Sequence, residues 1–369
     1  MKKLILKLTL FVPLLAGVVL VNYYVDPACL FKDDAYLFGI ADLLLRGDNV
    51  QNVPNLDERL LQKHYIERLT YANDVIVLGS SRSMLIGKDL FPGKRFFNNS
   101  VSGASIEDFV AIYNMYEEKG MPPGSVVLGI DPWIFIEHSG QTRWRSVRPD
   151  VYAGFKRMGV SFSGNNIDLV SKKYLQLVSF PYFQSSLETL FLRRFAGRRA
   201  QYFPTQERVD PVDMILLADG SRSYPQKERS KTAAQVLAAA QGLINDHFGL
   251  RSHVKIDERD ARVFELFVRR LRSRNTEITI FLPPYNPFIH DYCARSDEYR
   301  IMRDVEAFIR RFADKEHISV RGSYDPHAYS LTQDDFYDGV HPTVETTKAV
   351  FSGSLDVNPR GPRGTSGDR

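Results

Sequence analysis

The chain has 369 residues, 44% of them apolar, enough for one large core or two modest ones. Its 48 basic and 44 acidic residues leave a formal charge of +4, too small to favour nucleic acid as a partner, and no basic stripe with interleaved aromatics appears. Cys29 and Cys293 are the only cysteines, and no Cys-x-x-Cys or His-x-x-x-His spacing occurs, so no metal motif is written into the sequence. The cysteine pair permits a disulfide in an oxidising compartment, with two unpaired thiols the equal alternative.

Met1-Lys2-Lys3 opens the chain, and an apolar stretch follows from Leu4 to Val25. About 20 apolar residues cross a bilayer as a helix, so residues 1–25 read as an N-terminal transmembrane helix. No small-x-small cleavage site follows the stretch. Tyr23 and Tyr24 suit a membrane–water interface, and the lysines place the N-terminus in the cytoplasm. An uncleaved single-pass anchor in the cytoplasmic membrane is expected, with the body periplasmic or on the cell surface. Residues 26–73 read as a linker and helical lead-in.

From Asp74 onward, short apolar runs alternate with helical patterns. Val75–Leu78, Arg95–Asn98, Val126–Ile130, Glu277–Leu282 and Ile318–Arg321 look like strands buried on both faces. Helices are predicted over Ile106–Lys119, Glu258–Arg274 and Asp297–Lys315, each with one apolar face. This alternation implies an α/β fold: a three-layer, doubly wound, mostly parallel sheet. Residues 134–256 fit the rhythm poorly, apart from an alanine-rich helix over Thr232–Asn245, and read as a large insertion over the active-site face. Beyond Thr343 the sequence predicts a short stub, then a disordered tail over 353–369, rich in Gly, Pro, Arg and Ser.

Three short blocks far apart carry chemistry. Ser81 follows the strand Val75–Leu78, with Gly79 opening the turn. Asp338 and His341 stand three residues apart in Tyr337–Pro342, close enough for the carboxylate to orient the imidazole. A serine, a histidine base and a carboxylate that holds the base are the minimum equipment for nucleophilic acyl transfer. Between them lies Ser100–Ser105, with Gly103 free to expose its N–H. Ser81 is expected at the start of a helix, where backbone N–H groups and the dipole stabilise an oxyanion.

The set resembles the SGNH (GDSL-like) hydrolase superfamily between Asp74 and Thr343. Gly79-Ser80-Ser81 is similar to its first block, Gly103 to the second, Gly129-Ile130-Asp131 to the third, and Asp338 with His341 to the last. The resemblance implies Ser81, Asp338 and His341 as the catalytic residues, and an oxyanion hole from Ser81, Gly103 and position 131. The family usually has Asn at that last position. Asp131 cannot donate when ionised and would oppose an oxyanion. It is therefore protonated, or turned toward a basic partner, or dispensable beside backbone donors. Asp131-Pro132-Trp133 further resembles membrane-anchored members of polysaccharide O-acetylation and teichoic-acid D-alanylation.

Arg82, Trp133, Tyr285 and Asn286 follow strand ends and are candidates for substrate binding; Arg82 is also placed to neutralise Asp131. His290, His327 and the other remaining histidines receive no role. The expected function is a membrane-anchored serine esterase or O-acyltransferase acting on an extracytoplasmic polysaccharide or other envelope polymer. An acyl donor is its other substrate, and an integral-membrane acyltransferase is a possible partner. No cofactor and no metal are expected. The alternative is a non-catalytic envelope protein that uses the fold to bind polysaccharide or a membrane acyltransferase.

Overall fold

The computed structural model describes all residues except 1, 27–30, 32, 54–55, 137–139, 162–173, 196–201, 246–248, 252–254 and 355–369. Nine strands are named in chain order: β1 (Asn49–Gln51), β2 (Val75–Leu78), β3 (Phe96–Asn98), β4 (Ser125–Gly129), β5 (Phe203–Thr205), β6 (Ile215–Leu216), β7 (Arg222–Ser223), β8 (Glu277–Leu282) and β9 (Ser319–Gly322). The main sheet has five strands in the order β3-β2-β4-β8-β9, all parallel. All five expected strands are present, displaced by at most one residue at an end. The order reverses between β3 and β4, with β2 at the switch. In open parallel sheets the crevice beyond the carboxyl ends at such a point is where ligands bind.

Side-chain alternation assigns each strand residue to a face. Ile76, Leu78, Val126, Leu128, Ile280 and Leu282 join the larger core, beneath the helices Ile106–Glu118, Glu258–Ser273 and Ile301–Glu316. Val75, Val77, Val127 and Phe281 face the other way and are covered by Val236, Phe336 and Val350. The expected stub after Thr343 is in fact a nine-residue helix, Val344–Ser352. Thr343 caps its start by accepting from the Thr346 N–H, and Gly353, with φ 73°, ends it. Burying Val350 there helps close the second face, which the helix Ala233–Asn245 also covers through Val236. Of the expected tail, residues 355–369 lie outside the described residues.

The lead-in is more than a linker. Its helices Asp33–Leu45 and Glu58–Arg68 put Leu37, Ile40, Leu61 and Ile66 into the main core. Its strand β1 pairs antiparallel with β5 and β6, and β6 with β7, in a second sheet ordered β5-β1-β6-β7. Lead-in and insertion thus build one structure together, which neither could do alone because each carries unpaired strands. Within the insertion, the helix Arg148–Arg157 packs on Ile106–Glu118, where Gly154 lies so close to Val110 that a Cβ would sit 2.5 Å from it.

The expected anchor is helical over Lys2–Val25. Among the described residues no helix is long and apolar enough to cross a membrane. Cys29 lies outside the described residues; Cys293 is buried near the end of the helix Pro287–Ala294.

Candidate active site

The carboxyl end of β2 runs into Gly79 and Ser80. A Cβ on Gly79 would stand 2.6 Å from the Ser83 Oγ and 3.3 Å from the Gly129 Cα, so the close approach of β2 to β4 demands glycine at both positions. Ser80 is extended, and its hydroxyl accepts from the Arg82 N–H, opening a turn over Ser81–Ser83. That turn is a three-residue 3₁₀ segment, not the α-helix start that was expected. A macrodipole is therefore not what serves Ser81, and any oxyanion donors there are individual amides.

The Ser81 Oγ lies 2.9 Å from the His341 Nε2. The His341 Nδ1 lies 2.8 Å from the Asp338 Oδ2. The other Asp338 oxygen accepts from the amides of Val340 and His341, both at 2.8 Å, so the tight turn itself orients the carboxylate. Burial tends to raise the Asp338 pKa, but the His341 ring and these two amides outweigh it and hold the carboxyl down at about 2. The carboxylate is thus ionised across any ordinary pH. It fixes His341 with Nδ1 as donor and Nε2 as acceptor toward the serine.

Ser81 and His341 open onto a cleft of about 590 Å³. Ser102, beside Gly103, lines the same cleft. Gly103 holds φ at 57°, a conformation that favours glycine. The amides of Ser81 and Gly103 make no hydrogen bond among the described residues. The Gly103 loop is braced from the lead-in: Arg59 donates to the Ser102 carbonyl at 3.1 Å and grips Asp108 with two bonds. Glu58 accepts from the Ser102 N–H at 2.5 Å and pairs with Arg222 at 3.2 Å.

Arg82 and Asp131 sit behind this cleft, not in it. Arg82 is 1% exposed and Asp131 0%, and their contact is 2.6 Å. Arg82 also donates to the Val340 carbonyl at 3.0 Å and the Pro283 carbonyl at 2.6 Å, with its guanidinium 3.6 Å from the Tyr285 ring centre. Of the three readings for Asp131, the structure shows the basic partner: its Oδ1 lies 2.6 Å from the Arg82 guanidinium. Burial pushes its carboxyl upward and the Arg82 guanidinium opposes that.

The other substrate-binding expectations are corrected likewise. Tyr285 is fully buried against Tyr324 and under Arg82. Asn286 is fully buried, capping the helix Pro287–Ala294 and donating to Gln333 at 2.6 Å. Trp133 is half-buried, donates to the Ala104 carbonyl at 3.0 Å and packs on the main core. A strand end points its residues alternately to crevice and core; Arg82, Tyr285 and Asn286 fell on the core side, and Trp133 lies half-buried beside the Gly103 loop. The cleft walls come from elsewhere: Asn52, Leu56 and Glu58 of the lead-in, Asp213, Met214, Arg222 and Tyr224 of the insertion. No spacing in the sequence marks these residues, because the second sheet alone brings them to Ser81.

No protein-family model matches this chain, and no curated protein matches it.

Proposed function

We propose that the protein is a serine esterase or O-acyltransferase working on an extracytoplasmic polysaccharide or other envelope polymer. The observation that carries this reading is the continuous relay from Ser81 through His341 to Asp338, open to a cleft on the Ser81 side. His341 takes the Ser81 proton as the oxygen attacks the acyl carbonyl. The amides of Ser81 and Gly103 receive the resulting oxyanion. Collapse expels the alcohol, which leaves with the proton from His341, and an acyl-enzyme remains. A sugar hydroxyl, deprotonated in turn by His341, completes a transfer, whereas water completes a hydrolysis.

The order of Ser81, Gly103, Asp338 and His341 along a doubly wound sheet favours kinship with the SGNH hydrolases. The cleft mixes Asn52, Glu58 and Arg222 with Leu56, Met214 and Tyr224. Polar groups for hydroxyls beside an aromatic and aliphatic surface suit a sugar chain. Membrane attachment is part of the proposal. Val12, Leu14, Leu15 and Leu20 of the first helix are exposed, as are Phe180, Leu187 and Leu190 of the helix Phe180–Phe195. The seam between these helices is polar: Asn22 donates to the Leu177 carbonyl at 2.9 Å, Ser186 to Asn22 at 3.0 Å, and Tyr182 to Asp26 at 2.6 Å. Polar inside and apolar outside is an arrangement suited to lipid.

The test is labelling with a fluorophosphonate probe. The wild-type protein takes up one label, Ser81→Ala takes none, and intact-mass analysis reads both. Absence of labelling in the folded wild type would leave a polymer-binding role in its place.

A further inference from the structure

The loops that follow β8 and β9 carry a second polar cluster, outside the cleft and unused by the proposed chemistry. His290 and Asp291 lie on the helix Pro287–Ala294; Asp325 caps the short turn Pro326–Tyr329 that contains His327. One oxygen of Asp291 lies 2.7 Å from the His327 Nε2 and 3.4 Å from the His290 Nδ1. The His290 Nδ1 is 3.8 Å from the Asp325 Oδ1, and the ligand atoms of His290, Asp325 and His327 all fall within 4.8 Å of one another. No other such group of three His, Cys, Asp or Glu side chains occurs among the described residues.

We propose that His290, Asp325 and His327, with Asp291 as the fourth donor, form a zinc site that clasps the two loops together. The chemistry of the set fits. Zinc prefers imidazole nitrogen and carboxylate oxygen in a tetrahedron, with bonds of about 2.0–2.2 Å, which puts donor atoms about 3.4 Å apart. Two of the contacts, at 3.4 and 3.8 Å, are already near that spacing, while the 2.7 Å contact of Asp291 with His327 is a direct hydrogen bond that a bound ion would open. Two neutral imidazoles and two carboxylates balance a dication, whereas calcium or magnesium would require more oxygen donors than the cluster offers. The four residues come from two segments in pairs, so a bound ion closes a long loop and stabilises it. Asp325 already accepts from the His327 N–H at 2.8 Å, which orients its carboxylate in the manner of an outer-shell bond.

The clasp reaches toward the catalytic turn. Asn286 caps the helix that carries His290 and donates to Gln333 at 2.6 Å, while the Tyr285 N–H bonds the Tyr324 carbonyl at 3.1 Å. Gln333 in turn belongs to the segment that leads into Asp338. An ion at the cluster would hold this framework from its outer side.

The experiment is isothermal titration of the untagged, full-length protein with zinc chloride after chelator treatment, with thermal unfolding measured alongside. One ion per chain and a raised Tm are expected. His290→Ala and His327→Gln should each weaken binding by about tenfold or more, while His341→Ala, which lies outside the cluster, should bind as wild type. Cobalt(II) should give the strong visible absorption of four-coordinate geometry, lost in His327→Gln. His327 is half exposed, so its replacement leaves the metal-free fold intact, and circular dichroism checks this. No binding at millimolar zinc, or binding that survives His290→Ala and His327→Gln combined, would overturn the proposal. Neither result depends on acyl chemistry, so the site stands or falls apart from the proposed function.

Discussion

Ser81 and Arg82 are neighbours in the chain and serve opposite sides of the same turn. Ser81 faces the cleft, half-buried, with one hydrogen bond to a partner that must move a proton. Arg82 faces the interior and binds three segments at once: Asp131 after β4, Pro283 after β8 and Val340 beside the histidine. The first arrangement needs access and a transferable proton. The second needs a charge that is never lost and a rigid fork of donors, which is the character of guanidinium. Ser81 is thus held in register with His341, 260 positions away, by the buried cation next to it.

The comparison is sharpest at the nucleophile. Ser81→Ala should lower acyl turnover by about 10⁴-fold or more while leaving the urea midpoint almost unchanged. His341→Ala should match it, and the double variant should be no slower than either single one, since the two act as a unit. Additive losses would break the shared step. Asp338→Asn should cost less, about 10²- to 10⁴-fold, because the Ser81 and Gly103 amides survive.

The opposite signature is expected one residue along. Arg82→Met should destabilise the protein by about 3–5 kcal/mol in urea unfolding, because Asp131 is left buried without its partner. Combining it with Asp131→Leu should recover most of that loss. A double variant as unstable as the sum of the two would mean the residues do not act as a pair.

Acid separates the regions again. The Asp338 pKa is lowered from 3.8 to about 2, so its share of stability is present above pH 3.8 and is lost as pH falls through about 2. Unfolding curves taken between pH 5 and pH 2 should show a loss in wild type that is smaller in Asp338→Asn. The smallest effect is expected at the cleft wall. Arg222→Ala should raise KM several-fold with kcat within about twofold, since it removes a contact made equally in ground and transition states.

How much of this was legible differs by kind of information. Periodicity and punctuation located all five strands of the main sheet, because strands buried on both faces must be apolar runs closed by turn residues. Asp338 and His341 were legible as a pair because their contact spans three residues and is local. Position along a strand end was readable too, but not which way a side chain turns there. Arg82, Trp133, Tyr285 and Asn286 were therefore placed in the cleft and belong behind or beside it. The helix Val344–Ser352 escaped notice because it is short and its worth lies in covering Val77 and Phe281, which the local pattern does not reveal.

By itself the sequence determined the local chemistry of this protein: which runs form strands, which glycines open turns, and which aspartate and histidine stand close enough to pair. Those properties depend on near neighbours. Only the tertiary structure decided the rest: that β1 of the lead-in pairs with the insertion to wall the cleft, that Asp131 turns to Arg82, and that His290 and His327 converge from two loops. Each joins residues far apart in the chain, and such contacts follow from which surfaces must be buried together, a property of the whole fold.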